Sequence, residues 1–123
     1  MSPNAKVLVV EDDLANQQTL CALLQFMGHT ATVANGGNEA LRLLHTPIEL
    51  DVIISDVVMP GMNGIDFAKR ARDARPGMPI VLVTGDAYAV DAVIANGSVA
   101  LLKPYTAETL ERVLSETIAN GSN

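Results

Sequence analysis

Short apolar runs rich in β-branched residues recur along this chain, with helix-spaced stretches between them. They are Val7-Leu8-Val9-Val10, Ala31-Thr32-Val33-Ala34, Val52-Ile53-Ile54, Ile80-Val81-Leu82-Val83 and Val99-Ala100-Leu101-Leu102. The first, third and fourth are apolar without alternation, which marks strands covered on both faces. Between the runs, Leu20, Leu24 and Met27 share helical spacing, as do Ala40, Leu43 and Leu44, and Val90, Val93 and Ile94. Phe67 and Ala71 mark a weaker helix in the middle of the chain. The last stretch puts Leu110, Val113, Leu114 and Ile118 on one stripe, with Glu111, Arg112 and Glu116 turned outward. Gly28, Gly36-Gly37, Pro47, Pro76-Gly77 and Asn96-Gly97 punctuate the boundaries.

Strand-helix alternation repeated in this way predicts an α/β fold: a parallel sheet with right-handed crossovers and helices on both faces. Five strands fit a doubly wound, flavodoxin-like order of 2-1-3-4-5, with strand 1 beside strand 3 at the switch point. The 123 residues make one domain, its core expected over about residues 6–119 and residues 120–123 as a flexible tail. Eight basic residues against fourteen acidic ones give a net charge of −6, which disfavours a nucleic-acid-binding surface. A single cysteine excludes an internal disulfide framework and a cysteine-based zinc site. No apolar run approaches the roughly 20 residues of a membrane span, and Met1-Ser2-Pro3-Asn4 does not open a signal peptide. The expectation is a soluble, cytoplasmic domain.

Ligands of open α/β sheets bind beyond the carboxyl ends of the strands. There strand 1 runs into Glu11-Asp12-Asp13, strand 3 into Asp56, strand 4 into Thr84 and strand 5 into Lys103-Pro104. Carboxylates, a hydroxyl and an ammonium thus converge on one edge from four separate strands. Two carboxylates about 5 Å apart repel by roughly 3 kcal/mol at an effective dielectric near 20. Such a site calls for a cation, a raised pKa, or both. All-oxygen ligation with retained water suits Mg²⁺. A carboxylate flanked by a cation, a lysine and a hydroxyl is equipped to attack phosphorus, with positive charge steadying the transferring phosphoryl oxygens.

VLVVEDD, DVIISDVVMPGMNG, VLVTGD and LLKPY resemble, in order and spacing, the receiver domain of two-component response regulators, and NGGNEAL at 35–41 is similar to that family's second helix. The resemblance runs from about Lys6 to Ile118. It implies that Asp56 accepts a phosphoryl group from a histidine kinase or a histidine phosphotransfer protein. It further implies Mg²⁺ bound by Asp12 and Asp56, with Glu11 acting mainly through water and the Val58 carbonyl completing the protein ligands. Thr84 would bond a phosphoryl oxygen and Lys103 would pair with the phosphate. The bond before Pro104 would be cis. The chain itself would not be an enzyme beyond its own phosphorylation. The resemblance fits a stand-alone regulator and equally a receiver from a larger protein such as a hybrid histidine kinase or a transcription factor, and it leaves the output partner unknown. Relatives commonly carry Tyr or Phe three residues before the lysine. Here that position is Ala100, whose methyl has no rotamer to switch, so the signal is expected to run through the loop after Thr84 and to reposition Tyr88.

Plainer readings stand beside these. Asp13 reads better as a charge and cap on the first helical turn than as a ligand. Thr84 could simply bond the backbone of its own turn. Gly61 and Gly64 read as loop glycines, and Cys21 as a small core residue. His29 and His45 lack a ligand-spaced partner and are assigned neither to metal nor to phosphotransfer. Tyr88 and Tyr105 stay open between partner contact and half-buried packing. Among rival functions, an aspartyl-nucleophile phosphatase would carry a second aspartate where this chain has Val58. A nucleotide or flavin module would need glycines where it has Glu11-Asp12-Asp13. A degenerate receiver acting only in protein interaction would not need Asp56, Thr84 and Lys103 intact.

Overall fold

The computed structural model describes residues 4–121. In chain order it comprises β1 (Lys6–Val10), α1 (Leu14–Phe26), β2 (Thr30–Ala34), α2 (Gly37–Leu44), β3 (Val52–Asp56), α3 (Gly64–Ala74), β4 (Ile80–Thr84), α4 (Val90–Ala95), β5 (Val99–Leu102) and α5 (Ala107–Gly121). All strand pairs are parallel and the order is β2-β1-β3-β4-β5, as the alternation predicts. Among the described residues no helix is long and apolar enough to cross a membrane.

The pleat explains how one sheet serves two cores. Successive strand side chains point to opposite faces. Val7, Val9, Val52, Ile54, Val81 and Val83 therefore pack with Leu24 of α1 and Leu110 and Leu114 of α5. Leu8, Val10, Ile53 and Leu82 pack on the other face with residues of α2, α3 and α4, centred on Phe67. The central strands β1, β3 and β4 are the three without alternation, because each is covered twice.

The fourth helix covers Val90, Val93 and Ile94, as their spacing predicts, and is short: a single 3₁₀ turn, Ala87–Ala89, precedes six residues of α-helix. Asp86 starts that turn by accepting the Tyr88 N–H at 2.9 Å, and Gly97 (φ +90°) ends the segment. The last helix is longer than the expected core, since Asn120 and Gly121 are helical; the rest of the expected tail, residues 122–123, lies outside the described residues. Glu111, expected to turn outward, is half-buried. Its carboxylate sits 3.0 Å from Nε2 of His29, whose side chain is fully buried. The His29 Nδ1 accepts the Ala5 N–H at 3.2 Å, so Nε2 carries the proton and donates to Glu111. His29 is thus a strut between the sheet and α5.

Gly64 proves to be more than a loop glycine. It opens α3, and its N–H donates to the Val57 carbonyl at 2.7 Å. A Cβ there would lie 2.3 Å from the Asp56 carbonyl oxygen and 2.8 Å from the Val57 Cα. Both are backbone atoms and cannot swing aside. Gly64→Ala is therefore expected to lower stability by about 2 kcal/mol or more, within the range for overpacking, read as a lower urea midpoint. An unchanged midpoint would show that α3 shifts freely against the segment after Asp56.

Candidate functional site

The carboxyl ends of β1, β3 and β4 form the floor of the site. Glu11 follows β1 and is held at three points. Its N–H donates to the Ala34 carbonyl (3.1 Å), its carboxylate accepts the Asp13 N–H (3.1 Å), and its carbonyl accepts the Gln17 side-chain amide (2.5 Å). Asp12 is exposed. Asp13 is the cap expected of it, accepting the Asn16 N–H at 3.1 Å.

Asp56 ends β3 with its side chain only 15% exposed. The Lys103 ammonium reaches it across β4, 3.2 Å from Nζ to Oδ2. The Lys103 backbone N–H donates to the Thr84 carbonyl at 2.8 Å, and the Lys103–Pro104 bond is cis. Thr84 is buried, and its hydroxyl is engaged locally, accepting the Asp86 N–H at 3.0 Å. The structure therefore brings Glu11, Asp56 and Lys103 together, while the Thr84 hydroxyl sits in its own turn. Val58, two residues past Asp56, exposes its side chain. Tyr88 is 94% exposed. Ala100 is half-buried against the α2–α4 side of the core.

Beside Asp56 lies a cavity of about 180 Å³ whose lining includes Glu11, Asn16, Thr19, Lys103 and Tyr105. Of these, Asn16 and Thr19 escaped the sequence reading, because they belong to α1 rather than to a strand end. Burial pushes the Tyr105 hydroxyl above its ordinary pKa, and the Asp56 and Glu11 charges push it further. Tyr105 is half-buried against the α1–α5 core, which settles its packing.

Glu11 records the crowding. Burial raises its carboxyl above the ordinary range; the Asp13 N–H pulls the other way, and the Asp56 charge and Asp12 carboxyl add to the rise. In the window between the ordinary value and the raised one, the folded chain keeps a proton that the unfolded chain has released. Stability then falls as pH rises through that window and stays low above it. Glu11→Gln removes this titration yet keeps an acceptor for the Asp13 N–H. Without metal, the variant should melt higher than wild type at neutral pH and lose that advantage below the ordinary carboxylate range. A constant difference at all pH values would assign the gain to something other than charge.

Among the described residues no three Asp, Glu, His or Cys side chains form a ready metal cage. Mg²⁺ does not require one: it keeps most of its waters and takes one or two carboxylates. The donors present are hard carboxylate oxygens, and the single Lys103 ammonium offsets only part of the charge of Glu11, Asp12 and Asp56, so the residues fit that ion.

The model of the response regulator receiver domain family matches residues 7–115. A chemotaxis protein CheY homolog of Campylobacter jejuni is 32% identical over 123 residues, covering 95% of this chain and 95% of that protein. The transcriptional regulatory protein ZraR of Klebsiella oxytoca is 31% identical over 117 residues, 93% of this chain; the match spans only 26% of that longer protein. Among solved structures, the receiver domain of a Pseudomonas aeruginosa sensor histidine kinase superposes with a TM-score of 0.84 at 27% identity, covering 94% of this chain and 98% of that one. It is described with a magnesium ion coordinated in its active-site cleft. With the family model matched over residues 7–115 and a relative 32% identical across nearly the whole length of both chains, this chain belongs to the receiver domain family of two-component response regulators.

Proposed function

We propose that Asp56 is the phosphoacceptor of this receiver and that its modification is read out through the Thr84–Tyr88 turn. The observation that carries this reading is the Lys103 ammonium 3.2 Å from the Asp56 carboxylate, at the end of a central strand and beside Glu11. An Asp56 oxygen attacks phosphorus in the phosphohistidine of a histidine kinase or phosphotransfer protein. The phosphorus–nitrogen bond breaks, and the imidazole leaves with the electron pair. Lys103, already placed, pairs with the incoming phosphoryl oxygens. Mg²⁺, held by Asp12, Asp56 and the Val58 carbonyl with Glu11 through water, would neutralise the carboxylates and stabilise charge on the phosphoryl group. Val58 supplies no second carboxylate, so the chain is a signalling element rather than a phosphatase, acting in the cytoplasm on an output partner of its own pathway.

The readout follows from Thr84. To bond a phosphoryl oxygen, its hydroxyl must redirect the hydrogen it now points at the Asp86 carbonyl, 3.5 Å away, which loosens its hold on the Asp86 turn. Asp86 also accepts the Tyr88 N–H, so the change passes directly into the 3₁₀ turn and the exposed Tyr88. Ala100 offers no aromatic ring to follow it. A phosphoryl group with differential contacts in the two states suffices to shift the turn. Amide chemical-shift mapping with Mg²⁺ and beryllofluoride should show changes centred on Thr84–Ala95. Changes confined to α1 and α2, with that segment silent, would overturn the route.

A further inference from the structure

Only two residues of α1 are buried, Leu24 and Gln17. Leu24 belongs to the core, but a buried glutamine amide has to find partners. Gln17 donates from Nε2 to the Glu11 carbonyl at 2.5 Å and to Asn35 Oδ1 at 2.7 Å. Asn35 in turn donates to Glu39 Oε2, from its side chain at 3.2 Å and its backbone at 3.3 Å. The two ends of this chain of bonds fix its direction, since a carbonyl and a carboxylate can only accept. The amides of Gln17 and Asn35 therefore have one orientation each. Glu11 is pinned on one side by Ala34 and on the other by Gln17, and Glu39 lies in the first turn of α2.

We infer that Gln17 is a positioning residue for the acidic loop, and that through Asn35 and Glu39 it couples cation binding there to the start of α2. The inference rests on the Mg²⁺ reading above. Glu11, Asp12 and Asp56 repel one another, and a loop carrying such charges spreads unless its backbone is held. Gln17 holds the carbonyl that leads directly into Asp12. Removing that donor should let the ligand oxygens drift and weaken the cation, as loss of outer-shell partners does at metal sites. This relay runs on the β2 side of the sheet, away from the Thr84–Tyr88 turn, so the two routes can be separated.

The test is Mg²⁺ titration of the full chain, read by isothermal calorimetry and by amide shifts of Glu11, Asn35 and Glu39. Gln17→Met keeps the length of the side chain and removes both donors. Its Mg²⁺ affinity should fall about tenfold, while Leu114→Ala, a core variant on the α5 side, should lower the melting temperature yet keep wild-type affinity. Asn35→Ala, at an exposed position, should leave the Glu11 response to Mg²⁺ in place and abolish that of Glu39. It decides the matter if Gln17→Met does not fold. Wild-type affinity in a folded Gln17→Met chain, or a Glu39 response surviving in Asn35→Ala, would overturn the inference. A wild-type chain that binds no Mg²⁺ at all would instead overturn the metal reading on which it rests.

Discussion

Asp56→Asn is expected to abolish phosphorylation by acetyl phosphate, with no residual modification at the site. The amide keeps the shape of the carboxylate but removes the charged oxygen that attacks phosphorus and the partner of Lys103. The variant should remain folded. Its lost ion pair involves a half-exposed lysine, 43% exposed at the side chain, and such pairs contribute about 0–1 kcal/mol. Removing one charge from the crowd around Glu11 acts in the opposite direction. The melting temperature without metal should therefore not fall. A drop of many degrees together with lost phosphorylation would mean that unfolding, not chemistry, explains the loss.

Mg²⁺ should have the second large effect, on stability. An ion that binds only the folded chain adds about 2.7 kcal/mol when present at about one hundred times its dissociation constant. For a domain of this size that corresponds to about 10 °C in melting temperature, at about 4 °C per kcal/mol. Asp12→Asn should flatten this dependence and leave the metal-free chain no less stable, because one repelling carboxylate is gone. If tens of millimolar Mg²⁺ shifted nothing, the acidic pocket would not be a cation site.

The parts of this molecule that could be read in the sequence are those governed by local pattern. Uninterrupted apolar runs identified β1, β3 and β4 as the doubly covered strands, and their C-terminal ends located Glu11, Asp56 and Thr84, as the end of β5 located Lys103. Asp13 was legible as a cap because a carboxylate in front of a helix has a single local use. What escaped depends on partners far apart in the chain. His29 and Glu111 meet only when α5 folds back on the sheet. The steric need for Gly64 arises from how closely α3 approaches the Asp56 backbone. The 3₁₀ turn ahead of α4 starts where Asp86 accepts the Tyr88 N–H. Gln17 did leave a trace: it stands three, four and seven residues before Leu20, Cys21 and Leu24, a polar residue on an apolar stripe. Such a residue signals a buried hydrogen-bonding role, but its partners in two other loops become visible only in the fold.

The central claim is that Asp56 receives the phosphoryl group, and chemical mapping of the modified residue addresses it most directly. The chain is treated with Mg²⁺ and acetyl phosphate, reduced with borohydride, digested and sequenced by mass spectrometry. An aspartyl phosphate is reduced to homoserine, so the account predicts homoserine at position 56 and nowhere else. Phosphate found on His29, His45 or a serine, with Asp56 unmodified, would contradict it.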